Sequence, residues 1–400
     1  MDLGFEGGFI CHNKSIPKEY VSSVEEKDSN WVWVKPTRFG LCFANDILED
    51  ARKAWLKYFR RYGYESEIYH SESIVDLVKQ HNFGAKVFPD NVDVVIGGFP
   101  CQDFSVAGKR MGFESSKDHY GNFRDKGVPS EETRGKLYFW MKQVIDIVKP
   151  KIFIAENVKG LVNLGDVKKI IQHDFSQAAD GGYIVLEPQV LHAANYGVPE
   201  SRERIIFIGI KKSELNSEAL KALSQKNIPQ DYNPYPFPTH NYNLNNDKLL
   251  PVVTCRDVFY GLREPELSCD QSQKVFSKAK YLGSSSQGQT EIKLDNIGPT
   301  IRSEHHGNIE FRRLLAEHGG KYFDELNAGM KERRLTPREC ALIQTFPPDY
   351  PFIWTMDYSG KKVSLSSSGA YKIIGNAVPP VFAYNIAMRI QSLWSTYFTK

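Results

Sequence analysis

The sequence predicts an α/β protein whose parallel sheet is covered on both faces, and three observations carry that prediction. Between about Gly40 and Gly209, short apolar runs rich in β-branched and aromatic residues alternate with longer amphipathic ones. Those runs mostly end in Gly, Asn or Glu, as strands do where they leave a sheet. The composition, 41% hydrophobic and 25% charged, is that of a globular chain and excludes a mainly disordered or collagen-like one.

The strand expectations are Gly40–Ala44, Val92–Ile96, Ile152–Ala155 and Arg204–Ile210. Helical spacing falls on Ile47–Phe59, Ile74–Gln80 and Gly135–Val148. Ligands of such sheets bind beyond the carboxyl ends of the strands, so functional residues are sought directly after each apolar run. At 400 residues and about 150 per domain, two to three domains are expected. After Lys212 the texture changes. Asn233-Pro-Tyr-Pro-Phe-Pro-Thr239, the Asn-rich stretch Asn241–Asn246 and Ser284-Ser-Ser-Gln-Gly288 are dense in turn signals and poor in periodicity. A second, smaller, irregular or β-rich domain is therefore expected over residues 213–330, between a first unit at 1–212 and a return at 331–400. Thr336 can cap a helix with Pro337 at its first position, and Val378–Trp394 has the spacing of a closing amphipathic helix.

Composition also limits function. No run of 18 apolar residues occurs, and no basic stretch followed by an apolar one opens the chain, so no membrane span or secretory signal is indicated. The charge sum, 51 − 48 = +3, permits a nucleic-acid partner without arguing for one. Six scattered cysteines form no C-x-x-C pair, and the only adjacent histidines, His305-His306, have no cysteine nearby. Reduced thiols in the cytoplasm and no metal site are expected.

Three motifs carry chemistry. Gly97-Gly-Phe-Pro-Cys-Gln-Asp-Phe-Ser105 follows a strand directly, which places Cys101 as a nucleophile does; its glycines let the backbone approach a ligand closely. Ala155-Glu156-Asn157-Val158 ends the next strand, 156 − 101 = 55 residues on, so Glu156 should project from the same sheet edge and act as an acid toward a ring nitrogen. Ser201-Arg-Glu-Arg204 opens a further strand, where alternation places Arg202 and Arg204 on one face, suited to an anionic or carbonyl-bearing substrate.

Together with Gln189-Val-Leu-His-Ala-Ala-Asn-Tyr-Gly-Val-Pro199, Arg334-Leu-Thr-Pro-Arg-Glu-Cys-Ala341, Gln344-Thr-Phe-Pro347 and Tyr371-Lys-Ile-Ile-Gly-Asn-Ala-Val-Pro-Pro380, these motifs resemble, in order, those of the DNA cytosine-5 methyltransferases. The resemblance covers most of the chain outside residues 213–329. It implies a Rossmann-like S-adenosylmethionine-dependent sheet with a target-recognition domain, acting on double-stranded DNA in a restriction–modification pair. The implied enzyme is a cytoplasmic, nucleoid-associated monomer of prokaryotic type, with a cognate restriction endonuclease as partner. It further implies that Cys101 bonds to C6 of an extruded cytosine, Glu156 engages N3, Arg204 holds O2 and Arg202 supports the site electrostatically.

By the same resemblance Asp46, Ile47, Pro100, Leu137, Asn376 and Val378 hold S-adenosyl-L-methionine. Gln102, Ser105, Lys109, Arg110 and Arg124 would lie on DNA from a loop running to about Pro129. Thr300 and Arg302, with Phe311-Arg-Arg313, would read it from the second domain. Two departures stand out. Ser73 takes the place of the family's usual adenine-binding Asp. The family's first strand and Phe-x-Gly-x-Gly loop have no counterpart before Met1-Asp-Leu-Gly-Phe-Glu6, which itself resembles the helix that follows that loop. An upstream in-frame segment is the expectation, and a chain starting at Met1 would bind the cofactor poorly. The transfer-RNA branch of the family usually carries Thr where this chain has Gln102. A binding-only descendant would not be expected to keep Cys101, Glu156 and Arg204.

Overall fold

In a computed structural model of the chain, the structure describes residues 1–24, 30–99, 137–163, 166–303, 309–356 and 362–399. Its centre is a five-stranded sheet in which Val94–Gly98 pairs in parallel with Ile152–Val158, and Ile152–Val158 pairs antiparallel with Glu203–Lys211. Tyr183–Val185 and Gln189–His192 both pair antiparallel with the Glu203–Lys211 strand, one at each of its ends. The sheet is thus mixed, which corrects the all-parallel expectation. The run Ile205–Ile208 is fully buried. An uninterrupted apolar run reports burial on both faces and says nothing of strand direction.

The expected strand at Gly40–Ala44 shortens to Ala44–Asn45, which pairs in parallel with Tyr69–His70 in a separate two-stranded sheet. Side chains take the amides that a longer strand would have used. Leu41 N–H, for instance, donates to the Tyr64 hydroxyl (2.8 Å). Among the described residues, Ala44–Asn45 and Val94–Gly98 each have a strand partner on one edge only.

Helices cover the sheet much as the spacing requires, at Glu49–Phe59, Ile74–Asn82, Leu137–Val148 and Val167–Ser176. The helix Asp2–Glu6 packs on the long closing helix Pro380–Phe398. Thr336 caps Pro337–Ile343 through a capping box with Glu339. Residues 213–330 take the irregular of the two expected textures. Among the described ones the only strand is Phe311–Arg313, which pairs with Arg333–Arg334. Their apolar residues do not form a core of their own: Leu223, Tyr235, Cys255, Ile292 and Ile301 lie in one buried cluster with Ile152, Ile206 and Ile374. This arrangement is a Rossmann-like α/β fold with an irregular second region packed on its return segment.

Candidate active site

The strand register builds the site. Gly98 stands beside Glu156 in the parallel pair, while Arg204 faces Val158 in the antiparallel one. From there Arg204 reaches diagonally to Glu156, Nε to Oε1 at 2.6 Å, with the two side chains only 12% and 13% exposed. A Cβ on Gly98 would lie 2.9 Å from Glu156 Oε2, so glycine leaves room for the carboxylate at the sheet's end. The antiparallel course of the Glu203–Lys211 strand is what brings Arg204, at its start, to Glu156.

Asn157 adds a contact that sequence reasoning missed. Its buried Nδ2 donates to the Phe99 carbonyl (3.1 Å), and its Oδ1 accepts from Val158 N–H (2.8 Å). It thereby ties the end of one strand to the chain leading into Pro100 and Cys101. The available signal was an amide, with both donor and acceptor, where two neighbouring strands leave the sheet. Pro100, Cys101, Gln102, Ser105, Lys109, Arg110 and Arg124 lie outside the described residues.

Arg202 is not where alternation puts it, because the strand starts one residue later, at Glu203. Its guanidinium is buried and donates to the carbonyls of Ile301 (3.1 Å), Gly375 (2.9 Å) and Ala377 (2.8 Å), with Glu200 Oε1 at 3.3 Å. This corrects the expected pairing of two substrate-facing arginines: Arg204 reaches Glu156 and Arg202 clamps backbone. Burial, with the charge of Arg204, pulls Arg202 below its ordinary pKa. Burial also pushes the Glu200 carboxyl up against the opposing charge of Arg202.

Of the residues expected around the cofactor, Asp46, Ile47, Asn376 and Val378 fall at the ends of the Ala44–Asn45 strand and the Ser367–Asn376 helix. Asp46 Oδ1 accepts from Leu48 N–H (2.8 Å), which leaves Oδ2 able to accept from a hydroxyl. Burial raises the Asp46 carboxyl above its ordinary value, opposed by the Leu48 N–H and the charge of Lys372. Ile47 is 45% exposed, an apolar side chain left facing solvent, and Asn376 is exposed while Val378 is buried. Asp50 packs against Gly369, which brings the helix after Ile47 onto the helix that ends at Asn376. An acceptor beside an exposed apolar side chain fits a nucleoside with its ribose hydroxyls. Leu137 begins a helix, and its side chain is not among those described. Ser73 caps the helix Ile74–Asn82 through Val75 N–H and is buried.

On the second region, the Thr300 hydroxyl donates to the Ser201 carbonyl. Arg302 is 34% exposed, with Nη1 3.9 Å from Glu310; with its amide turned, the Gln287 side-chain oxygen accepts from the same nitrogen at 2.8 Å. The arginines of Phe311-Arg-Arg313 are not free donors, which corrects that expectation. Both are buried: Arg312 pairs with Glu325 (2.8 Å), and Arg313 pairs with Glu325 (2.5 Å) and Glu264 (3.0 Å). Among the described residues, no group of three His, Cys, Asp or Glu side chains could hold a metal ion, and no helix is long and apolar enough to cross a membrane.

Known proteins resemble this chain in sequence and in fold. The family model for C-5 cytosine-specific DNA methylase matches residues 34–392. The type II methyltransferase M.HpaII of Haemophilus parainfluenzae is 31% identical over 72% of this chain and 69% of its own. The type II methyltransferase M.BspRI of Lysinibacillus sphaericus is 28% identical over 99% of this chain and 80% of its own. In structure, the fold is similar to that of a protein described as a prophage-encoded DNA modification methyltransferase of E. coli. The TM-score is 0.52 at 20% identity, over 90% of this chain and 93% of that one.

Proposed function

The chain belongs to the C-5 cytosine-specific DNA methylase family, and on that premise we propose that it methylates C5 of a cytosine extruded from double-stranded DNA, as the modifying half of a restriction–modification pair. The observation that carries this reading is the Glu156–Arg204 contact at the sheet end, beside the chain that leads into Cys101. In the proposed sequence the Cys101 thiolate bonds to C6 while Glu156 passes a proton to N3, which places electron density on C5. S-adenosylmethionine supplies an electrophilic methyl group when bound. Loss of the C5 proton then expels the thiolate and restores the ring. Arg204, already set by Glu156, holds O2. Extrusion of the base costs about a few kcal/mol in lost stacking and pairing.

Asp46, Ile47, Pro100, Leu137, Asn376 and Val378 are proposed to hold the cofactor, the first through ribose hydroxyls and the second against adenine. Gln102, Ser105, Lys109, Arg110, Thr300 and Arg302 are proposed to face DNA; Arg302 offers a half-buried guanidinium. Residues 1–212 and 331–400 are assigned to the catalytic unit and 213–330 to target recognition, in a monomer that shares its site with a cognate endonuclease.

DNA carrying 5-fluorocytosine tests the reading, because fluorine at C5 cannot leave as a proton does and the adduct persists. With S-adenosylmethionine present, the protein should form a denaturant-resistant DNA adduct, and Cys101→Ala should form none. A protein that binds the DNA without forming an adduct overturns the covalent mechanism.

A further inference from the structure

Glu200 is fully buried, lies outside every role given above, and has one carboxylate oxygen, Oε2, without a hydrogen-bond partner among the described residues. Its other oxygen accepts from Ile301 N–H at 2.7 Å, while Arg202, two residues on, donates to the Ile301 carbonyl at 3.1 Å. Two side chains from one segment thus hold both backbone groups of the residue that precedes Arg302. The backbones are also laced together: Ser201 N–H donates to the Gly298 carbonyl and Gly298 N–H to the Pro199 carbonyl, each at 2.8 Å. The same Arg202 guanidinium fixes the carbonyls on either side of Asn376. Gly375 completes the junction, since a Cβ there would lie 2.2 Å from the backbone carbon of Arg302. Three segments therefore meet at one buried pair: the approach to Arg204, the segment bearing Arg302, and the turn at Asn376.

We propose that Glu200 is a positioning residue that transmits the seating of Arg302 on DNA to the active-site strand. It does so by holding Ile301 N–H in register with the Arg202 clamp. The proposal rests on the DNA-methylating reading above. A role in stability alone would scale methylation of every sequence by the same factor. Transmission would affect the sequences that Arg302 reads and leave the rest unchanged.

The test uses the full chain, tritiated S-adenosylmethionine and unmethylated bacterial genomic DNA, with bisulfite sequencing to separate methylation at the preferred motif from methylation elsewhere. Glu200→Gln and Glu200→Met both lack the charge and are close in size, but only Gln keeps an oxygen for Ile301 N–H. Glu200→Met should lower the ratio of motif to off-motif rates by about tenfold or more, with off-motif rates unchanged. Glu200→Gln should stay within about threefold of wild type. A proportional fall at all sites, no change in Glu200→Met, or equal damage in both variants overturns the proposal. If the wild type binds this DNA without methylating it, the functional reading fails instead, and the coupling is read from affinity. The losses in Arg302→Ala and Glu200→Met should then be non-additive in the double variant, and additive losses overturn it. A wild type that does not bind DNA at all overturns both.

Discussion

The missing side chain at Gly98 decides where the Glu156 carboxylate can lie. A Cβ at that position would come within 2.9 Å of Oε2, and the atom it meets is the free end of a side chain rather than backbone. Gly98→Ala should therefore displace the carboxylate from Arg204 at little cost to folding. The expected outcome is a fall in kcat of about ten- to a hundredfold, because misplaced reacting groups lose most of their advantage. The thermal midpoint should barely move; methyl incorporation and a melting curve on the same preparation check both. Asn157→Ala is the converse case. It removes a buried bond to the Phe99 carbonyl and should cost about 1–3 kcal/mol, seen as a lower denaturation midpoint alongside weaker adduct formation. Glu156 and Arg204 were legible as candidates because one closes an apolar run and the other opens one, but their contact was not, since it needs the antiparallel pairing of their strands. Asn157 was not, because a hydrogen bond to a carbonyl 58 residues away leaves no periodic trace.

At the level of elements, existence was more legible than direction or extent. The cap at Thr336 could be read because Pro337 beside it marks a first helical position. The antiparallel course of Glu203–Lys211 could not, since burial on both faces gives the same apolar string in either direction. Arg202 was misassigned for a related reason: alternation holds only inside a strand, and this one begins a residue later. The short helix Asp2–Glu6 makes a prediction of its own. A Cβ on Gly4 would lie 2.5 Å from Ala383 Cβ and 2.6 Å from the Pro380 carbonyl oxygen, so the two helices approach backbone to backbone. Gly4→Ala gains intrinsic helix propensity of up to about 1 kcal/mol, yet the overpacking should outweigh it and cost about 1–3 kcal/mol. Urea denaturation should show a lower midpoint. An unchanged or higher midpoint would mean that the N-terminal helix can shift along Pro380–Phe398 without loss.

Across the whole molecule, an ionic network of buried arginines and partly buried carboxylates joins the irregular region to the segment that follows it. Glu264 receives Arg313 (3.0 Å) and Arg333 (2.9 Å), Arg333 also pairs with Glu339 (2.8 Å), and Arg338 pairs with Asp270. Arg334 has no carboxylate within salt-bridge distance among the described residues and is satisfied by the carbonyls of Ala279, Lys280, Gly288 and Ile309. In sequence Arg313 looks like a DNA-facing donor, because its partner Glu264 is 49 residues away. The burial of these arginines predicts acid sensitivity. Burial alone would raise the Glu264 carboxyl, but the bonds and charges of Arg333 and Arg313 outweigh it and bring the pKa to about 2. Below its ordinary value the unfolded chain binds the extra proton first, so stability falls with pH. The contribution is complete above the ordinary carboxyl value near 4.5 and disappears as pH drops through about 2. It amounts to about 3 kcal/mol. Glu264→Gln should lose about 3–5 kcal/mol at pH 7, because two buried guanidinium groups lose a charged partner. Its further loss between pH 5 and pH 2 should be about 3 kcal/mol smaller than that of the wild type. Denaturation midpoints at those pH values decide the matter: parallel acid profiles for the two proteins would show that the network does not set the acid limit of this fold.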